Sequence, residues 1–346
     1  MQTNSTKTPL ERIKQPARLC KECFRVALRL ALDSKVVERV PHHLSGGMAE
    51  LRRLLRLKYL EAHNVREIKS LLAGGVAPTF VTSCMRSGNT WMRYLLSDVL
   101  LQNEGIKTTT DLVIHPDEII PEYHNDLVAV RLNAQRMPHM PGVLLKIHDS
   151  FDELGRRFWG QGYQTNPSFR KCRHLYLFRS PEDALVSLYR FHLRKRLMLD
   201  RAVKRAGQLA IDEFCRQALP RWIQHVCGYL DAADSGVPIY FASYEQLLAD
   251  AEQVLEETLR WLEVPHSRSM VERACTNMQF QKLKGTREKN MGDRGRSGGG
   301  SIELQPATVT FIRASTEELM ARAQRHAVRL PAPLGELAAL PVPLPT

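Results

Sequence analysis

Long apolar runs are missing from this chain of 346 residues. Its longest apolar stretches are of the kind seen at 26–32, where Arg29 interrupts the run, and they fall far short of the ~20 residues that cross a bilayer. No signal-like apolar segment opens the sequence. We therefore predict neither a transmembrane helix nor a secretory leader.

Acidic residues are outnumbered by basic ones. The chain has 37 Asp and Glu against 49 Lys and Arg, which gives a formal net charge of +12 at pH 7. Such a field attracts anions, among them nucleotides, sulfated sugars, nucleic acid and acidic lipid. Hydrophobic residues make up 43% of the chain, which is enough for a large globular core. The net charge predicts an anionic partner but does not identify which anion.

A paired cysteine framework is also absent. The seven cysteines are an odd number, and the pair Cys20 and Cys23 has no second CxxC pair to complete a zinc site. Both cysteines lie in a helical pattern, which favours a role in side-chain packing over zinc binding or redox activity. We predict a soluble protein of the cytoplasm, where thiols stay reduced, and no metal site.

Three regions follow from composition. We predict a basic helical extension at 1–74, an α/β domain at 75–328, and a tail at 329–346 whose five prolines between 331 and 345 predict disorder. Two uses of the extension remain open. It can touch an anionic surface such as a membrane, or it can pack as a helix on the main domain.

Strand and helix patterns alternate through the middle of the chain. Short apolar strands are predicted at 78–84, 142–149, 173–180 and 237–244, and helices at 90–102, 181–197 and 245–262. This alternation predicts a three-layer α/β/α fold with a central, mostly parallel sheet. In such folds the ligand crevice lies at the carboxyl ends of the strands.

The first strand ends in the turn SCMRSGNTW, which lacks the Gly-Lys-Ser/Thr ending of a triphosphate loop. That ending serves to hold magnesium against a highly charged leaving group. Here Arg86 precedes Gly88, and Asn89 and Thr90 supply polar groups where the lysine would stand. Turn amides and the helix that follows suit a phosphate. We predict a phosphate-binding site that does not require a metal cation.

Three motifs occur in order at predicted strand ends: RSGNTW at 86–91, KIH at 146–148 and RSPEDALVS at 179–187. Together they resemble the sulfotransferase superfamily that uses 3′-phosphoadenosine 5′-phosphosulfate (PAPS). The resemblance runs from Pro78 to Arg296 and is looser in its later part. It implies a metal-independent, P-loop-like enzyme that moves a sulfuryl group from PAPS to a hydroxyl or amine and releases adenosine 3′,5′-bisphosphate (PAP).

The resemblance also implies the nucleotide contacts. The turn binds the 5′-phosphosulfate, Arg179 and Ser187 bind the 3′-phosphate, two aromatic rings sandwich the adenine, a tyrosine bonds its edge, and an RSG element closes over the site. The turn consists of Arg86, Ser87, Gly88, Asn89, Thr90 and Trp91. The rings that sandwich the adenine are Trp91 and Phe280, and the tyrosine at its edge is Tyr244. The 3′-phosphate residues are Arg179 and Ser187, and the closing element is Arg296, Ser297 and Gly298.

His148 is the candidate general base, because an imidazole titrates near neutrality and can take the proton of the acceptor. Lys146 lies two residues earlier in the strand, so both side chains share one face. Lys146 and Arg86 are the candidate cations that stabilise charge developing on the sulfonate. The predicted catalytic set is therefore His148, Lys146 and Arg86.

The chain departs from the family pattern at three positions. Ile147 replaces the usual Thr or Ser, Ser297 replaces a lysine, and Leu304 stands where the cytosolic dimer element has its lysine. Dimerisation by that route is not expected, and the oligomeric state stays open. No nucleic-acid partner is expected, and the acceptor is a small molecule, lipid or carbohydrate.

Two other functions stay open at this point. One is a P-loop phosphotransferase, which a magnesium requirement would favour. The other is a non-catalytic module that binds a sulfated glycan or an acidic membrane through its basic residues. The acceptor itself depends on segments 104–141 and 197–220, which carry no short motif.

Overall fold

The computed structural model describes residues 65–106, 115–122, 142–194, 209–279 and 297–328. Within them four strands form one sheet in the order β2-β1-β3-β4, and every neighbouring pair is parallel. The strands are β1 Thr79–Ser83, β2 Leu144–Ile147, β3 Arg173–Phe178 and β4 Ile239–Ser243. The α-helices of the described residues are α1 65–73, α2 Asn89–Asn103, α3 Phe151–Trp159, α4 Pro167–Arg170, α5 Pro181–Arg194, α6 Ile211–Asp234, α7 Tyr244–Ala249, α8 Ala251–Trp261, α9 Arg268–Asn277, α10 Gly299–Glu303 and α11 Pro306–Val328.

Both faces of the sheet are buried. Successive strand residues point to opposite faces, so Phe80 enters one apolar core and Val81 the other. The core around Phe80 is closed by α3, α5, α6 and α11, and the core around Val81 by α2, α8 and α9. The predicted α/β fold with a parallel sheet between helical layers is confirmed.

The strand order places a switch point beside β1. The chain passes from β1 to β2 on one side and then to β3 on the other side of β1. In register, Thr82 lies beside Ile147 and Ser83 beside Leu177. The residues that follow the three strands therefore start from one rim of the sheet, where ligands bind in open α/β folds.

One helix prediction is wrong. The single helix expected over 245–262 is two helices, α7 and α8, which break at Asp250. The backbone of Asp250 has φ −148° and ψ 87°, outside the helical range, and its carboxylate accepts the Gln253 N–H at 2.9 Å. An aspartate can cap a new helix in this way, which an apolar periodicity does not reveal.

The extension and the tail lie almost entirely outside the described residues, so their predicted roles and the boundary at residue 75 stay predictions. Of the extension, only α1 is described, and it places Ile68 in the core around Phe80. No helix in the described part of the chain has both the length and the apolar character that crossing a membrane requires.

His174 lies at the centre of the aromatic core and is fully buried. Its ring centroid lies 5.2 Å from that of Phe80 and 5.6 Å from that of Phe151. Neither ring nitrogen has a hydrogen-bond partner among the described residues, and burial lowers the pKa of His174 to about 3. The folded protein therefore keeps this imidazole neutral.

We predict that this histidine contributes to acid unfolding. Its pKa rises to about 6.5 in the unfolded chain, so the stability it contributes is intact above pH 6.5 and is lost as pH falls toward 3, by ~1.4 kcal/mol per pH unit. His174→Phe should make the fall in unfolding free energy between pH 6.5 and 5 shallower in urea titrations. A comparison at pH 8, where the imidazole is neutral in both states, isolates the packing effect. If His174→Phe shows the same fall in unfolding free energy between pH 6.5 and 5 as the wild-type protein, this explanation is wrong.

Candidate active site

The turn between β1 and α2 has an unusual backbone. Arg86 has φ 71° and Gly88 has φ 94°, both in the left-handed region that glycine adopts easily and arginine does not. A non-glycine residue held there costs of the order of 1 kcal/mol and persists only where its surroundings impose it. Turns of this kind before a helix direct N–H groups toward an anion.

The start of α2 is suited to a phosphate group. No side chain caps its first N–H groups, and no acidic residue lies in its first turn. Ser87 is fully buried, and its Oγ has no hydrogen-bond partner among the described residues. Asn89 is fixed by its Nδ2, which donates to Val81 O at 3.1 Å, and Thr90 is half-buried in the first turn. A hydroxyl and helix amides are thus available at one point.

Position 88 requires glycine for two reasons: its φ angle is positive, and a side chain there would meet Tyr244. A Cβ at this position would lie 2.6 Å from Cδ2 of Tyr244. The Tyr244 ring also lies 4.3 Å from the guanidinium carbon of Arg179 and 6.5 Å, edge to face, from Trp91. The structure therefore brings together four of the residues predicted to bind the nucleotide.

Trp91 is buried and its indole N–H donates to Met278 O at 2.8 Å. This bond fixes the ring against the segment that leads to Phe280. Phe280 and Arg296 lie outside the described residues, so the predicted adenine sandwich and the first residue of the closing element stay predictions.

The first and third motifs contact each other directly. Arg86 Nε donates to Ser187 Oγ at 3.2 Å, and Arg179 Nη1 donates to the carbonyl of Arg86 at 3.3 Å. The guanidinium of Arg86 also lies 5.1 Å from the ring centre of Phe191, in a cation–π contact. Two arginines and a serine from distant positions are thus held in one cluster.

His148 lies at the end of β2 and contacts the end of β1. Its Nδ1 is 3.0 Å from Ser83 O and 3.4 Å from Ser83 Oγ. A carbonyl only accepts, so Nδ1 carries the proton and Nε2 keeps a lone pair. Burial first, and then the charge of Lys146, lower the pKa of His148 to about 3. The imidazole is therefore neutral at physiological pH with a lone pair on Nε2, and its pKa lies well below the near-neutral value expected from the sequence.

Lys146 is held by a carboxylate that the sequence did not point to. Its Nζ donates to Glu122 Oε1 at 3.0 Å, and its backbone N–H donates to Pro121 O at 2.8 Å. The lysine side chain is only 12% exposed. The ion pair fixes the cation of a residue two positions before His148.

Other contributing residues were also missed. Ser83 sets the tautomer of His148, and Asp183 accepts the N–H of Gly298 at 2.7 Å. Asp183 stands four residues after Arg179, which lies just before α5, and this spacing could have indicated an ion pair. Ser297 is exposed beside Gly298. Glu122 had no local signal, because its partner Lys146 lies in β2, far along the chain.

A parallel α/β sheet with a glycine turn, two arginines and a neutral histidine at its switch point is an arrangement suited to a nucleotide phosphate. The model of the sulfotransferase domain family matches residues 77–303, well over half of the chain. The chain belongs to this family. The predicted family and enzyme class are confirmed.

Curated relatives agree with this membership. The chain is 23% identical over 228 residues to flavonol 3-sulfotransferase of Flaveria bidentis, 23% over 235 residues to cytosolic sulfotransferase 17 of Arabidopsis thaliana, and 20% over 208 residues to sulfotransferase 1B1 of Mus musculus. These matches cover 62%, 63% and 59% of this chain. They cover 67%, 62% and 64% of the relatives, so the chain spans about two thirds of their length.

Solved structures with similarity include mouse sulfotransferase SULT7A1 complexed with PAP, at 16% identity and a TM-score of 0.46, covering 72% of this chain and 85% of that one. Retinol dehydratase in complex with androsterone and inactive cofactor PAP matches at 16% identity and a TM-score of 0.44, covering 73% of this chain and 82% of that one.

Within the described residues no group of three or more His, Cys, Asp or Glu side chains is placed to hold a metal ion.

The contact between Gly88 and Tyr244 leads to a prediction about stability. Gly88→Ala should destabilise the protein by about 2 to 4 kcal/mol, because the new Cβ both strains the backbone and overlaps the Tyr244 ring. Gly105→Ala is the matched control, since Gly105 has φ 72° and open space around it. It should lose only about 1 kcal/mol. Chemical denaturation measures both, and equal losses would show that the ring contact is unimportant.

Proposed function

We propose that this chain transfers a sulfuryl group from PAPS to a hydroxyl or amine by in-line displacement, with His148 as the general base. One observation supports the proposal: direct contacts join the turn at 83–91 to the second motif and to the third motif at one rim of the sheet. His148 contacts Ser83 at the start of the turn, and Arg86 within the turn contacts Ser187 of the third motif.

The residues of the turn fit the 5′ end of such a nucleotide. The Ser87 hydroxyl is buried and available as a donor, and the uncapped start of α2 adds backbone N–H groups. Gly88 has no side chain to block the approach of a ligand to the backbone, and the two neighbouring arginines supply positive charge. This donor set is selective for an anion with several oxygens.

The third motif fits the 3′-phosphate. The planar fork of Arg179 can pair with two phosphate oxygens. Ser187 accepts a hydrogen bond from Arg86, and its own proton stays available to a phosphate oxygen. A hydroxyl that accepts and donates at once would connect the 3′-phosphate site with the turn. Trp91 and Tyr244 lie next to this cluster, which suits the adenine.

The reaction then depends on three side chains of the chain. PAPS, when bound, supplies the activated sulfuryl group on its phosphosulfate. His148 receives the acceptor proton at Nε2 while Ser83 O holds the opposite side of the ring. Lys146 and Arg86 stabilise the developing negative charge, a role worth a few kcal/mol per donor.

The acceptor class stays at the level of a hydroxyl or amine on a small molecule, lipid or carbohydrate. Much of segments 104–141 and 197–220, which we expect to form its pocket, lies outside the described residues. A cytoplasmic location is part of the proposal, and one relative from Arabidopsis thaliana carries the name cytosolic sulfotransferase.

Calorimetry with three nucleotides tests the donor. The protein should bind PAP more tightly than AMP or ATP, because only PAP carries a 3′-phosphate. Arg179→Ala should remove this preference by weakening PAP binding about 10- to 100-fold, the cost of a charge-assisted bidentate contact. Equal affinity for the three nucleotides, or tight ATP binding that needs magnesium, would overturn the assignment.

Arg173→Ala is the matched control for that experiment. It removes an arginine from the opposite end of the same strand, where Arg173 pairs with Glu263 at 3.0 Å. The variant carries the same change in net charge as Arg179→Ala. It should bind all three nucleotides as the wild-type protein does.

Loss of the base tests the mechanism. His148→Ala should lower the transfer rate by about 10²- to 10⁴-fold while PAP affinity stays nearly unchanged, because the imidazole acts on the acceptor and not on the nucleotide. A radiolabelled sulfate transfer assay with a panel of phenols, alcohols and amines measures the rate. His266→Ala is the control, since His266 also has Nδ1 against a carbonyl, Val264 O at 2.7 Å, but lies in a loop before α9. Retained turnover in His148→Ala would remove His148 from this role.

A further inference from the structure

A buried carboxylate lies between the arginine of the third motif and the glycine run that follows the RSG element. Asp183, in the first turn of α5, is 3% exposed. Its two oxygens accept the N–H groups of Gly298 at 2.7 Å and Gly300 at 2.5 Å. Oδ2 also lies 3.4 Å from Arg179 Nη2. One side chain therefore contacts two separate parts of the predicted 3′-phosphate site.

The glycine run is shaped to receive this carboxylate. Gly298 has φ 79°, and a Cβ on Gly300 would lie 2.6 Å from the carbonyl carbon and oxygen of Glu182. The backbone of the run thus packs directly on the start of α5 with no side chain between them. At the other end of α10, Glu303 pairs with Arg190 of α5. Helix α5 holds α10 at both ends.

We propose that Asp183 is a positioning residue for the 3′-phosphate, one that aims Arg179 and docks the backbone of 298–300 beside it. The inference rests on the proposed function, in which Arg179 binds that phosphate. Asp183 itself would not touch the nucleotide. Both of its oxygens already accept N–H groups of the protein, and Oδ2 also lies against Arg179.

A purely electrostatic role of Asp183 and a positioning role predict opposite effects of its removal on nucleotide affinity. A carboxylate next to a phosphate site repels the incoming phosphate, so its neutralisation should strengthen anion binding. If Asp183 acts through position, its neutralisation should weaken binding, because Arg179 and the loop lose their common support. The direction of the change in affinity separates the two explanations.

The test uses Asp183→Asn in the full chain. The amide has the size of the carboxylate but only one acceptor oxygen and no charge, so one of the two glycine N–H groups loses its acceptor and Arg179 loses its ionic partner. We expect PAP affinity to fall about tenfold in calorimetry, as for one charge-assisted hydrogen bond, with AMP affinity unchanged. Amide hydrogen exchange at Gly298 and Gly300 should become faster in the same variant.

Glu182→Gln is the control, because it removes the same charge from the neighbouring position. The Glu182 side chain pairs with Arg313 of α11 at 2.7 Å, whereas Asp183 pairs with Arg179. Its PAP to AMP affinity ratio should equal that of the wild-type protein. Thermal unfolding of both variants verifies that they are folded.

Asp183→Glu keeps the proposal testable if the Asn variant does not fold. It retains the charge but moves the carboxylate by one methylene, so the PAP preference should again fall. An unchanged or higher PAP to AMP ratio in a folded Asp183 variant would overturn the inference while leaving the proposed function intact. A wild-type protein without any preference for PAP would instead remove the proposed function and this inference with it.

Discussion

The parallel pairing of β1 with β2 on one side and β3 on the other is the constraint on which the site depends. Because the three strands run the same way, the residues after each of them emerge at one rim. Neighbouring strands lie about 5 Å apart, which is close enough for His148 to reach Ser83. A further strand between β1 and β2 would separate these groups by twice that distance and leave the imidazole without its tautomer-setting carbonyl.

The rim tolerates unfavourable local features because the sheet below it is packed on both faces. Arg86 holds a left-handed backbone, and the Ser87 hydroxyl is buried with no partner among the described residues. All five residues of β1 are buried, and helices cover both faces of the strand. A packed core of this kind can impose a strained turn at its edge, where a ligand rather than the protein satisfies the polar groups.

Carboxylates hold two of the cations of the site. Glu122 pairs with Lys146, and Asp183 pairs with Arg179. Each pair fixes a long side chain that would otherwise lose rotamer freedom when it meets an anion. The net positive charge of the chain attracts a nucleotide from a distance, whereas these local pairs determine where each positive charge stands.

The sequence by itself determined the fold class, the strands and the three motifs. Apolar runs and turn residues act over a few positions, and the residues RSGNTW, KIH and RSPEDALVS are contiguous. The tertiary structure alone decided that Glu122 pairs with Lys146, that Tyr244 lies against Gly88 and that Asp183 receives the glycine run. These partners are distant along the chain, and packing of whole elements selects them. The break at Asp250 was missed for a related reason, since a side-chain cap there outweighs the apolar periodicity that continues through it.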